Sequence, residues 1–278
     1  MRKIFKAISW LFPILMLLGG VAYAGKVYWE YSKGRREYTT LQNNYTHSRN
    51  AGDESNNKPM QDYNKQEKEE PMPDKMIWRP IADPLPEDAP PRLSVDWEGL
   101  KIKNNDVTAW IMVPAVEISY PVMQGDDNEY YLHRDINREY LYAGSIFMDA
   151  HSNASLYNYN TVIYGHNMRD GSMFARLKDF TNAEVYEKCP YFWILTSDAD
   201  YLYRICSIHQ APSGSDTYAL RFADYEEYRL WLDKMLSLSS PTTGETLEYQ
   251  DRIVTLSTCT DNVSIRMTVQ GKLIWKTS

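Results

Sequence analysis

Apolar side chains are distributed along this chain in three regimes. From Ala7 to Gly25 (AISWLFPILMLLGGVAYAG) no charged residue interrupts them. From Ser32 to Lys75 they become too sparse to bury a core, in runs such as NNYTHSRNAGDESNNKP and NKQEKEEPMPDK. From about Met76 they return as short β-type runs separated by turn residues. Trp110–Val113, Val116–Val122, Gly144–Met148, Asn160–Tyr164, Tyr191–Thr196, Tyr201–Gln210, Arg252–Thr258 and Ile265–Trp275 read as strands. In RIVTLSTCT, for example, Val254 and Leu256 alternate with Thr255 and Ser257. Helical spacing is rarer. Ser94 can cap a short helix through Leu100, Ser172 to Phe180 reads as another, and Tyr225, Tyr228, Trp231, Leu232, Met235 and Leu236 predict a longer amphipathic helix over 224–239. Its apolar stripe is expected to pack on the core. Eight short strands with few helices suggest a closed barrel or a sandwich, and closure removes exposed edges.

The amino-terminal run has the length of a membrane span, roughly 28 Å as a helix. Arg2, Lys3 and Lys6 precede it, and Trp10, Tyr23, Tyr28 and Trp29 sit near its ends as interfacial aromatics would. An uncleaved signal-anchor and a cleaved signal peptide compete, since Ala22-Tyr23-Ala24 is A-x-A-like; the length favours the anchor. The expected organisation is a cytoplasmic stub (1–6), a transmembrane signal-anchor (7–25), a polar linker or partly helical stalk (26–75) and a catalytic domain (76–278). The mature part is then exported. A flexible linker of this size spans roughly 40 Å root-mean-square, enough to hold a domain off a membrane.

Composition narrows the function. A net charge of −7 and the lack of a basic stripe with interleaved aromatics argue against nucleic-acid binding. Three cysteines, Cys189, Cys206 and Cys259, make no disulfide framework and no zinc spacing. No metal or other cofactor is expected.

One thiol at least stays unpaired, and chemistry can use it. A thiolate nucleophile needs a nearby group that favours its charge and a partner that moves protons. Cys259 ends a strand, where the backbone is fixed and the side chain accessible. Cys189, before Pro190, and Cys206, inside an apolar strand, look structural. Among five histidines, His47 lies in the tether; His209 ends a strand; His133 and His151 sit in polar surroundings; His166 follows NTVIYG and opens the turn HNMRDG. Arg266 begins the last strand, seven residues after Cys259, so two neighbouring antiparallel strands would place it beside the cysteine. Arginine supplies a charge that never deprotonates.

These three elements together resemble the sortases. The family pattern of T-L-x-T-C, an arginine on the next strand and a histidine upstream is matched by TLSTC (Thr255 to Cys259), IRM with Arg266, and YGHNM with His166. NNDVTAWIMVPAVEISYPVMQGDDNEYYLHRD, GSIFMDAHSN, NTVIYGHNMRDGSMFARLKDF and RMTVQGKLIW resemble class B sortases in particular, as does the long helix before the cysteine strand. The resemblance implies a mainly β fold: a closed eight-stranded sortase barrel with short helices, preceded here by the membrane helix. It implies a cysteine transpeptidase that cleaves a sorting signal after threonine and passes the acyl group from a thioester to an amine. By carry-over, Cys259 is the nucleophile, His166 the acid–base and Arg266 the donor to substrate or oxyanion. Asn128, Leu132, Thr217, Tyr218, Ser257, Thr258 and Thr260 are the expected substrate-binding residues. In class B relatives the motif resembles Asn-Pro-x-Thr-Asn/Gly. The connection from Cys259 to Arg266 is shorter than in many relatives, and Thr260 stands where some carry an acidic residue.

The implied partners are signal-bearing surface proteins, an amine of peptidoglycan or of a pilin, and the membrane through 7–25, with the enzyme a single-pass membrane protein whose catalytic domain is extracellular. A pilin polymerase using a lysine acceptor, a hydrolytic cysteine peptidase and a non-catalytic surface-binding module are the alternatives.

Overall fold

Each short apolar run exposes unpaired backbone along both edges, and here the runs satisfy one another in a ring. A computed structural model of the chain describes residues 2–49, 84–262 and 264–277. In chain order the elements are α1 (Arg2–Tyr45), β1 (Thr46–Ser48), β2 (Leu93–Val95), α2 (Trp97–Lys103), β3 (Val107–Val113), β4 (Ile118–Met123), β5 (Ile146–Met148), β6 (Asn160–Tyr164), α3 (Ala183–Lys188), β7 (Tyr191–Leu195), β8 (Asp200–Pro212), α4 (Tyr225–Ser237), β9 (Ile253–Cys259) and β10 (Ile265–Lys276). Strands β3 to β10 close a barrel in the order β10-β8-β7-β3-β4-β5-β6-β9. The β4–β5 and β6–β9 pairs are parallel and the others antiparallel. All eight expected strands are present, and the barrel is the expected one.

Alternation sorts each strand between two faces. Val254, Leu256, Val269, Ile208, Trp110 and Phe192 belong to the buried core cluster. The opposite face of β8, β9 and β10 is buried too, but polar. There Asn160 Oδ1 accepts from Thr255 Oγ1 at 2.7 Å, and Thr255 Oγ1 accepts from Gln270 Nε2 at 2.9 Å. Helix α4 lies over this face. Tyr228, Trp231, Leu232 and Met235 are buried against Tyr159, Cys206 and Ile253, as the stripe predicts. Asp224 caps α4, its carboxylate accepting from Glu227 N at 2.8 Å.

In the amino-terminal half the expected linker or partly helical stalk takes a helical form through Tyr45. The expected linker is, up to Ser48, regular structure docked on the barrel. Tyr31, Gly34, Tyr38, Leu41 and Tyr45 repeat at alternating steps of three and four, which puts them on one stripe of α1. Gly34, Tyr38 and Leu41 are buried. Tyr38 donates to the Gly144 carbonyl and lies 3.2 Å from Ser145 Oγ, and Arg35 pairs with Asp170 at 3.0 Å. Next, β1 pairs antiparallel with β2, His47 opposite Ser94. Ser94 is therefore a strand residue, and Asp96 caps α2 instead, accepting from Gly99 N at 2.9 Å. The expected helix over 172–180 is a 3₁₀ segment, Ala175–Thr181.

The expected membrane span lies within α1, where Leu15, Met16, Leu17, Leu18, Val21 and Tyr23 are exposed. Among the described residues no helix is long and apolar enough to cross a membrane. Residues 50–83, which hold the rest of the expected linker and the expected start of the catalytic domain, lie outside the described residues.

Candidate active site

The site is built from strand register. In the β9–β10 ladder Cys259 and Arg266 are direct cross-strand partners. Opposite residues of an antiparallel pair project to the same face, so the sulfur and the guanidinium share one side. In the parallel β6–β9 ladder Tyr164 is the partner of Ser257, and Gly165 N donates to Ser257 O at 3.1 Å. Cys259 stands two residues further along β9, and His166 two residues beyond the end of β6. Register pairs Cys259 with Arg266, and the end of β6 that leads into His166 lies beside β9 at the same end of the barrel.

His166 is half-buried. Its Nε2 lies 2.8 Å from the Leu132 carbonyl. A carbonyl only accepts, so Nε2 carries the proton and Nδ1 is the basic nitrogen of the neutral ring. Burial lowers the His166 pKa from its ordinary value; the Leu132 hydrogen bond opposes this, and the charge of His133 adds to it. Gly165 is required just before it: a Cβ there would stand 2.4 Å from Ile146 Cδ1 and 2.7 Å from Phe174 Cγ.

The three thiols are all free and are in different situations. Cys206 is 1% exposed, and its Sγ donates to the Gln270 carbonyl at 3.4 Å. Burial pushes the Cys206 thiol far up, and pushes Cys189 up as well. Cys259 is partly exposed and lines a cleft of about 580 Å³ together with Asn167, Lys178, Asp179, Asp261 and Met267.

Around this centre the expected substrate-binding residues fall into distinct positions. Tyr218 closes over the β6–β9 face: its hydroxyl is 2.9 Å from Ser257 Oγ, and its ring stacks on Tyr164 at 6.3 Å. The charge of Arg266 bears on both tyrosines. Thr217 is buried, with its hydroxyl 3.4 Å from His209 Nε2 and its carbonyl accepting from Asn160 Nδ2 at 3.2 Å. It holds the Asp216–Tyr218 turn from below. Trp231 Nε1 donates to Asp216 O at 2.7 Å, so α4 fixes the same turn from the side. Asn128 gives Nδ2 to Asp149 at 2.8 Å and accepts from Ala150 N at 2.8 Å. Leu132 is 36% exposed and contributes the carbonyl that holds His166. Thr258 faces the opposite side of β9, next to Met267 and Gln210 across the ladders, and lines the cleft. Thr260 Oγ1 donates within its own turn, 3.1 Å from Ile265 O.

Three features of the site are invisible in a motif search. Asp149 is 6% exposed and accepts from Asn128 and from Tyr164 OH at 3.0 Å, joining the Asn128 loop to the end of β6. His209 lies under the Tyr218 turn. The His133 ring stacks on His166, with centroids 5.2 Å apart.

The sortase domain model matches residues 111–274, more than half the chain. This chain belongs to the sortase family, in its class B branch. The sortase is 35% identical over 176 residues to sortase B of Listeria monocytogenes, covering 62% of this chain and 72% of that one. A Staphylococcus aureus sortase B–substrate complex matches with 31% identity and a TM-score of 0.61, over 64% of this chain and 84% of that one. Sortase B from B. anthracis, solved in complex with AAEK1, matches with 26% identity and a TM-score of 0.66 over 89% of this chain and 99% of that one. As a sortase, the protein is a cysteine transpeptidase acting on sorting-signal substrates. Among the described residues no group of three or more His, Cys, Asp or Glu side chains is placed to hold a metal ion.

Proposed function

We propose that this sortase is a single-pass membrane protein with an extracellular catalytic domain. It cleaves an Asn-Pro-x-Thr-Asn or Asn-Pro-x-Thr-Gly type of sorting signal after threonine and transfers the surface protein to an amine of peptidoglycan. The observation that supports the chemistry is the cross-strand pairing of Cys259 with Arg266, with His166 just beyond the end of the strand that neighbours β9. The exposed apolar side chains of α1 between Leu15 and Tyr23 support the anchor.

In this reading the Cys259 thiolate attacks the threonine carbonyl carbon. Arg266 donates to the oxygen that gains charge, or to the substrate backbone. The C–N bond breaks as the departing amine takes the proton on His166 Nδ1, leaving a thioester. The incoming amine then attacks the thioester carbon and gives its proton back to Nδ1, the thiolate departs, and a new amide forms. Storing the acyl group as a thioester conserves the energy of the peptide bond for its replacement.

Tyr218, Tyr164 and Leu132 stand around the proposed centre, and the signal is proposed to lie against them. The 580 Å³ cleft reaches Cys259 from the other face of β9 and carries two carboxylates, Asp179 and Asp261, against one cation, Lys178, a balance that favours an incoming ammonium group. The test is to incubate the full-length protein in detergent with a sorting peptide and follow it by mass spectrometry. A thioester on Cys259 is expected, absent in Cys259→Ala while the fold persists. Label on Cys189 or Cys206 overturns the assignment. Product formation unaffected by added amine indicates a hydrolase, and a preference for a lysine side chain over a peptidoglycan-type amine indicates a pilin polymerase.

A further inference from the structure

The catalytic imidazole does not stand alone on its wall. A column of four rings runs from α1 to the site: Tyr31, then Tyr142 at 5.9 Å, His133 at 6.3 Å from Tyr142, and His166 at 5.2 Å from His133. The two imidazole planes differ by only 24°. Each ring is pinned by one nitrogen to a backbone carbonyl, His166 Nε2 to Leu132 at 2.8 Å and His133 Nδ1 to Tyr142 at 3.3 Å. His133 and Leu132 are consecutive residues of the same 3₁₀ turn, so a single short segment both hydrogen-bonds and stacks on His166.

We infer that His133 is a positioning residue for the transpeptidation: its stacked imidazole fixes the ring plane of His166 and opposes a second positive charge on the pair. The inference rests on the reading of His166 as the acid–base. Two imidazoles at this separation repel when both are protonated, so a charge on His133 opposes one on His166. His133 thereby favours the neutral His166 that can accept a proton at Nδ1 from the incoming amine. The other charged or titratable groups around the pair are Tyr140, which stacks on His133 at 6.2 Å, and Tyr142 in the following loop, Tyr31 on α1, and Arg134 in the same turn. Arg169 and Asp170 follow His166, Asp170 being paired with Arg35 of α1. Cys259 and Arg266 complete the surroundings at the barrel end.

The test is a pH titration of the imidazole signals by NMR on full-length protein in detergent, alongside kcat/KM against pH for a sorting peptide. In the wild type the His166 signal should follow a two-step curve. In His133→Phe, which keeps a ring and removes the charge, it should follow one step, with its midpoint higher by about half a pH unit or more. The acidic limb of the rate profile should move up with it. His133→Gln, which removes both ring and charge, should shift the midpoint the same way and lower kcat further than His133→Phe does. A single-step wild-type curve, or a midpoint unchanged in both variants, overturns the inference. A midpoint that moves while the rate profile does not shows that the pair is coupled but that His166 is not the acid–base, which overturns the inference through the reading beneath it.

Discussion

Gly144 rests its backbone against the Leu132 carbonyl, the same oxygen that accepts the Nε2 proton of His166. Its φ is +54°, and a Cβ there would stand 2.1 Å from that oxygen. Gly144→Ala therefore pushes away the group that sets the tautomer and orientation of the imidazole. We expect kcat/KM to fall by an order of magnitude or more, with a stability loss of about 1–3 kcal/mol. Peptide cleavage assays with parallel thermal melts check this, and full activity in Gly144→Ala would mean that the carbonyl does not matter.

The rate should depend on pH through two groups, since a thiolate and an imidazolium must coexist for the first step. The profile of kcat/KM is expected to be bell-shaped, with its acidic limb below the ordinary imidazole value because burial lowers the His166 pKa. A profile flat from about pH 5 to 10 contradicts it.

Tyr218 should matter through its hydroxyl. Tyr218→Phe removes the bond to Ser257, two residues before the nucleophile, and keeps the ring against Tyr164. A hydrogen bond of this kind contributes about 1 kcal/mol, so the expected loss in kcat/KM is about fivefold. Steady-state kinetics with peptide substrate decide the point.

His209 links acid stability to the groove. Ser207 Oγ gives its only proton to Met235 O at 2.6 Å, so it must accept from His209 Nδ1 at 3.0 Å. Nε2 is then bare and takes the Thr217 hydroxyl. Burial lowers the His209 pKa to about 4, while the charge of Asp216 opposes this. The unfolded chain holds more protons than the native one between about pH 6.5 and 4, so the neutral ring's contribution is complete above about 6.5 and lost as pH falls toward 4, up to about 3 kcal/mol. Melting temperature should drop over that range, and the drop should shrink in His209→Gln. An equal acid sensitivity in both proteins would assign the effect elsewhere.

Tyr38→Phe leaves the buried Gly144 carbonyl and Ser145 hydroxyl without that partner. A destabilisation of about 1–2 kcal/mol is expected, read by urea denaturation. Because Gly144 also supports Leu132, activity should fall along with it. An unchanged midpoint would show that α1 is only leaning on the barrel.

The barrel strands were legible because alternation of apolar and polar residues is a local signal and each strand carries it alone. The placing of Arg266 beside Cys259 was legible because a short turn joins their two antiparallel strands. The docking of α1 was harder. Its stripe of Tyr31, Gly34, Tyr38, Leu41 and Tyr45 is thin, tyrosine-rich and diluted by charged residues, so average polarity hid a helical period that the positions still carry. Ser94 was a plausible cap, but pairing with His47 across forty-odd residues overrode it. The polar ladders under α4, and the stacking of His133 on His166, depend on which loops meet in space. A single chain read in order has no term for that. Thr217 illustrates the limit: its hydroxyl is turned to His209, a pairing that sequence order does not reveal.

The contact of α1 with the barrel carries a consequence for reach. Nine residues separate Gly25, where the apolar run ends, from buried Gly34, a helical rise of about 14 Å. With the run seated in a bilayer as proposed, the enzyme is mounted on a short mast rather than a leash. The His166 turn, clipped to that mast by Arg35 and Asp170, would work at a nearly constant height just above the lipid headgroups, and both substrates must meet it there.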